Sequence, residues 1–168
     1  MLRRACDAID RLNNVVGRCA AWLTAFMVLG YCVVVLLRYG FGIGLIGLQE
    51  AVTYMHAAVF MLAAAYTLNQ DGHVRVDIFY RSWPARRQAW VNLLGSLCLL
   101  LPVAVFIFVA SWSYVADAWA RGEVSSEAGG LPFVYLLKTL ILVMAVQLVL
   151  AALARAGDAA LQLAESRT

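Results

Sequence analysis

The chain has 168 residues, of which 64% are hydrophobic and 14% charged, with a formal net charge of +3. The apolar share lies well above the roughly 45–50% of soluble domains. The basic residues fall between long apolar runs rather than on one polar face, so a nucleic-acid surface is excluded and little chain is left for a soluble catalytic domain.

The N-terminal stretch sets Leu2, Ala5, Cys6, Ile9, Leu12 and Val16 at helical spacing, with Arg3, Arg4, Asp7 and Arg11 between them. That pattern predicts an amphipathic helix lying in the cytoplasmic headgroup layer. A frayed basic terminus is the plainer alternative for so short a pattern. Cys19–Leu37 follows without a charge and is long enough to cross a bilayer, giving a first span over about residues 17–37. Its basic region reaches Arg18, its apolar run is about 19 residues, and no small-x-small cleavage site follows, so it reads as a retained anchor rather than a signal peptide.

From Tyr39 to Leu68 a single helix would rise about 45 Å, too long for one perpendicular crossing. Gly40, Gly42, Gly44 and Gly47 alternate with bulky apolar residues and predict a non-helical passage before a second span over 48–68. Asp71-Gly72 is a turn signal that ends that span. Between His73 and Tyr80, valines and an isoleucine alternate with polar residues. With no partner strands, a short surface-lying segment is expected there, anchored by Phe79, Tyr80 and Trp83. Ser82 is placed to cap the next helix and Pro84 to sit in its first turn.

The third span covers 88–116, where Trp90–Ala116 carries no charge. The connection Ser125–Pro132 offers a serine or glutamate to the free amides of the fourth span, 131–154, with Pro132 in its first turn. Lys138 is the one charge inside that span. The expectation is thus an all-α membrane protein with four transmembrane helices in a single domain.

Orientation follows from the arginines. The N-terminal stretch, the connection between spans two and three, and the C-terminal tail share a side if the spans alternate, and they hold ten of the thirteen basic residues. By the positive-inside rule, that side and both termini are cytoplasmic.

Few residues carry a chemical signal. Cys6, Cys19, Cys32 and Cys98 show no C-x-x-C and no metal spacing, so they read as inert packing residues. A four-span disulfide oxidoreductase would need outward-facing cysteine pairs. His56 and His73 are about 25 Å apart along a helical path and cannot ligate one haem iron, which leaves His56 to an interhelical hydrogen bond. No cofactor, metal set or catalytic constellation is expected, and no enzymatic activity. Glu50 and Lys138 both fall in the outer half of the membrane, where ionisable groups are costly and usually paired, so they are expected to form an ion pair, structural or transport-related. Ala57, Ala58, Ala64 and Ala65 in span two, and Ala145, Ala151, Ala152 and Ala154 in span four, permit close helix approach, to a partner or within the chain.

Arg38-Tyr39-Gly40-Phe41, Gln49-Glu50, Gly72-His73-Val74-Arg75-Val76-Asp77 and Ser126-Glu127-Ala128-Gly129-Gly130-Leu131-Pro132 occur together in this order. The combination resembles the small membrane subunit of TRAP (tripartite ATP-independent periplasmic) transporters, the DctQ family, over about residues 15–155. Arg38, Tyr39, Gly72, His73, Arg75, Asp77, Glu127, Gly129, Gly130 and Pro132 carry the likeness. It implies a multi-pass protein of the bacterial inner membrane. It also implies two partners besides the lipid bilayer: a large permease subunit and a periplasmic substrate-binding protein. The function implied is that of a scaffold in sodium-coupled organic-acid uptake. A self-sufficient small oligomeric transporter and a small membrane redox protein are the rival readings.

Overall fold

A backbone that crosses hydrocarbon has to satisfy its own amides and carbonyls, and a helix does so within one segment. The computed structural model describes residues 2–72 and 80–165, and among them 85% helix and no strand are found. The described residues form four long helices: α1 (Leu2–Gly40), α2 (Ile46–Asn69), α3 (Ala85–Arg121) and α4 (Val134–Glu165). Each is long and apolar enough to cross a membrane. The surface segment expected after Gly72 falls on residues 73–79, outside the described residues.

α1 runs unbroken for 39 residues, about 58 Å at 1.5 Å per residue and nearly twice the hydrocarbon thickness. The amphipathic N-terminal stretch is therefore helical, but it continues straight into the first span. Its buried face also differs from the apolar stripe read from the sequence. Cys6, Asn13, Gly17 and Ala20 are buried, while Leu12 of the stripe is more than half exposed. Of these four only Cys6 belongs to the predicted stripe, and Gly17 and Ala20 let the neighbouring helices come close where the span begins.

The glycine passage forms as expected. Phe41–Leu45 is non-helical, and Gly42 takes φ +68°, a conformation that favours glycine. α2 ends in a left-handed turn in which Asp71, at φ +52°, rather than Gly72 takes the unusual conformation. Gly72 then donates its amide to the Thr67 carbonyl at 2.9 Å, closing a Schellman-type cap. α3 starts at Ala85 with Pro84 at the cap position, so Ser82 precedes the helix by too much to cap it. Within α3, Gly95–Leu100 is a π-helical turn, and Pro102 follows after Leu101. Proline has no amide to give to the carbonyl four residues earlier, and the ring crowds that turn; the widened helix accommodates both. α4 starts at Val134, so Pro132 lies in the approach to the helix and not in its first turn.

α4 is the central element. It packs against α1, α2 and α3, whereas α3 packs chiefly on α4. Alanines explain this. Ala145, Ala151, Ala152 and Ala154 of α4 and Ala104 and Ala118 of α3 have no exposed surface. The α4 alanines are therefore used inside the chain and are not a surface for a partner. The start of α1 and the end of α4 lie at one end of the bundle, where Arg3 meets Glu165 at 3.7 Å.

Candidate functional site: polar latches at the two ends of the bundle

The polar side chains that bond one segment to another collect at the helix ends, while Gln147 is buried in the middle of α4 with no partner for its Oε1 among the described residues. At the end away from the termini, α3 stops at Gly122, left-handed at φ +56°, and the amide of Glu123 turns back to the Ala118 carbonyl at 2.9 Å. That reversal aims the Glu123 carboxylate at α4. Lys138 donates to both of its oxygens, at 2.7 and 2.5 Å, and its ammonium lies 3.9 Å from the centre of the Tyr114 ring. The lysine side chain is 12% exposed and the glutamate 30%. A charge-assisted pair at the helix end, with an aromatic face on the third side, accounts for a lysine inside an apolar span. Nearby, the Trp119 indole donates to Thr139 Oγ1 at 2.9 Å, and its ring meets that of Tyr135 at a tilt of 60°, with centroids 4.7 Å apart.

Glu50 does something different. Its Oε2 accepts the Leu131 amide at 2.6 Å, and its Oε1 accepts the Ser125 hydroxyl. Ser125 and Leu131 are themselves joined, amide to carbonyl, at 3.1 Å. Between them the chain turns, with Gly130 donating to the Glu127 carbonyl at 3.0 Å and Gly129 at φ +81°. Glu50, just past the first turn of α2, thus grips the loop that leads into α4. The grip is tight. A Cβ on Gly130 would lie 2.6 Å from Ser125 Cβ and 2.9 Å from Glu50 Oε1, and one on Gly47 would lie 3.0 Å from the Gly129 carbonyl oxygen.

The Glu50–Lys138 pair expected from the sequence is therefore not formed. Each group has taken a nearer partner from the connection after α3, which offers a carboxylate to the lysine and an amide and a hydroxyl to the glutamate. Glu123 and Ser125 are the residues that sequence reading missed in this role. The available signal was Gly122, a helix stop placed so that the next residues double back.

At the end that holds the termini, Arg155 of α4 reaches across to the C-terminus of α2. It donates to the Leu68 carbonyl, and its guanidinium lies 2.5 Å from Asp71 Oδ1. A helix C-terminus carries unsatisfied carbonyls and a partial negative charge, so a guanidinium is well matched to it. Gln70 adds a bond to Asn14 of α1 at 3.2 Å, which ties three helices at this end.

Of the other residues singled out, Arg38 and Tyr39 are exposed on the outward face of α1. With Tyr31, Gln49 and Thr53, Arg38 lines a cleft between α1 and α2. Gly72 is in the cap of α2, Glu127 and Gly129 in the gripped loop. His73, Arg75 and Asp77 lie outside the described residues. Ala65 is fully buried, while Ala57, Ala58 and Ala64 are half-buried. Cys6 is buried; Cys19, Cys32 and Cys98 face outward, so they do not pack inside the bundle. His56 also faces outward and finds no hydrogen-bond partner among the described residues, so the interhelical bond expected of it is not made within this chain.

Compared with known proteins, residues 27–162 match the model of the DctQ component of tripartite ATP-independent periplasmic transporters. No curated protein and no solved structure matches the chain. The match takes in the last third of α1, all of α2 and α3 and most of α4, and with them Glu50, Asp71, Glu123, Lys138 and Arg155 of the latches. The chain belongs to the DctQ family and is the small permease component of a TRAP transporter, a multi-pass protein of the inner membrane.

Proposed function

We propose that this chain is the static scaffold of a sodium-coupled organic-acid importer, holding a large permease subunit in place while a periplasmic binding protein delivers substrate. The observation that carries this reading is the alanine-packed axis. The fully buried residues along α4 and α3 are almost all alanine, so the helices close on one another and leave their large apolar side chains pointing outward. The polar groups are used at the ends as latches. Such a bundle is suited to hold its shape against a moving partner and to present surface to it. The arginine distribution favours an orientation with both termini in the cytoplasm and the Glu50 latch on the periplasmic side.

Reconstitution tests the reading. This chain, its permease and the binding protein in liposomes under an inward sodium gradient should accumulate an organic acid. Omitting this chain should abolish uptake, and this chain alone should give none. Uptake by this chain alone would overturn the scaffold assignment, as would full uptake without it.

A further inference from the structure

α2 carries a polar stripe on a face that the bundle leaves open. Thr53, His56 and Phe60 are exposed, and Phe60 is 74% so. Their spacing of three and four residues puts them on one side of the helix, with Ala57 and Ala64 beside them. His56 lies ten residues after Ile46, about 15 Å along the helix from its start and so near the middle of a hydrocarbon layer about 30 Å thick. It has no hydrogen-bond partner among the described residues. Ionisable side chains at that depth almost always face protein or a water-filled cavity rather than lipid.

We propose that the Thr53–His56–Phe60 stripe is the seam that receives a transmembrane helix of the permease, and that this helix presents a hydrogen-bond acceptor or carboxylate at the depth of His56. The proposal rests on the scaffold reading above. Three features select a helix with acceptors over other occupants. First, the seam is electropositive: Arg38, which lines the adjoining cleft with Gln49 and Thr53, has no ion-pair partner among the described residues, and no carboxylate lines that cleft. A second copy of this chain, docked through the same face, would set Arg38 and His56 against their own kind. Second, an anionic lipid can meet Arg38 near the surface, but its acyl chain offers nothing to an imidazole near the midplane. Third, Ala57 and Ala64 let a backbone come close on one flank while Phe60 projects beyond it, which suits a knob against a neighbouring helix.

The test uses the intact complex of this chain with its permease. A photo-cross-linking residue is placed at Thr53 or Phe60, and for comparison at Phe106 or Val109, which are 70% and 66% exposed on α3. Adducts with the permease are expected from Thr53 and Phe60 and not from the α3 positions. Permease adducts from α3 alone would overturn the seam, as would a cross-linked dimer of this chain from Phe60. In parallel, His56→Leu should weaken retention of the permease by about 3- to 10-fold, the range of one interhelical hydrogen bond, and His56→Gln should restore part of it. Unchanged retention in His56→Leu would count against the proposal. If His56→Leu fails to fold, the cross-links decide. Failure of the scaffold reading looks different: no permease would co-purify with any version of the chain, cross-linker or not.

Discussion

Gly17 offers the sharpest test of how α1 and α2 are held together. It lies on the buried face of α1, directly against Tyr66 of α2. A methyl group at Gly17 would sit 2.8 Å from Tyr66 Cδ2 and nearer still to Cβ and Cγ. Carbon atoms pack best at about 3.5–4.0 Å, so the two helices would have to part by roughly 1 Å. The atoms struck are at the root of the tyrosine, which a change of ring position does not move away. In isolation a glycine-to-alanine change in a helix is favourable by about 0.5–1 kcal/mol. Overpacking a close contact costs about 1–3 kcal/mol, and here it should win. Gly17→Ala is therefore expected to lower stability, by up to about 2 kcal/mol after the helix gain is subtracted. The assay is reversible unfolding of the purified chain in mixed micelles, run as a double-mutant cycle with Tyr66→Ala. Removing the ring makes room, so in the Tyr66→Ala background the Gly17→Ala change should become neutral or stabilising. If Gly17→Ala stabilises the parent chain, or if the two changes simply add, the close contact of α1 with α2 is not what the structure shows.

Glu123→Ala should leave Lys138 with only the Tyr114 ring and reduce the yield of folded protein, and adding Lys138→Met should recover part of it; Glu50→Gln and Lys138→Met, which share no partner, should instead give additive losses in thermal unfolding. Gly130→Ala should force Ser125 away from Glu50 and open the loop, read as faster hydrogen exchange at the Leu131 amide, and an unchanged exchange rate would refute the grip described for Glu50. Reporter fusions after Gly72 and after Thr168 should read cytoplasmic and one after Glu123 periplasmic, and a periplasmic signal at Thr168 would reverse the proposed orientation.

The four crossings were legible because a span writes itself in composition: a charge-free run of about 20 residues has few other uses. The breaks were legible where one residue type decides them, as with the glycines before α2 and the Asp71-Gly72 turn. What the sequence hid is lateral. Glu50 and Lys138 share a depth, and shared depth suggests a pair, but the partner depends on which way the chain turns after Gly122. Alanines in α2 and α4 look alike as letters, yet those of α4 are spent inside the bundle because α4 touches all three other helices. The stripe in the N-terminal stretch misled for a related reason. Apolar periodicity names one face of the helix, whereas the face turned to the neighbouring helices carries Cys6, Asn13, Gly17 and Ala20, of which only Cys6 belongs to the stripe. The π-helical turn had a signal, Gly95 and Pro102 close together, which a search for charge-free runs passes over.

The positions of the latches have a physical logic. Between helices in lipid there is little hydrophobic gain, so packing by alanine gives closeness but weak discrimination between one arrangement and another. Polar bonds discriminate better, but a polar group left without its partner is expensive in hydrocarbon and less so near the headgroups. Placing Glu50, Glu123 and Lys138 at one end, and Asp71 and Arg155 at the other, puts the discriminating bonds where a transient failure costs least. Each latch also joins segments distant in sequence: α2 to the loop before α4, the turn after α3 to α4, and α4 back to the cap of α2. α4 is therefore tied at both ends to its neighbours while its middle is closed by alanine. A bundle tied in this way must break polar bonds as well as alanine contacts before α4 can shift against its neighbours. It also sharpens the case of His56, a polar side chain near mid-depth that none of these bonds satisfies.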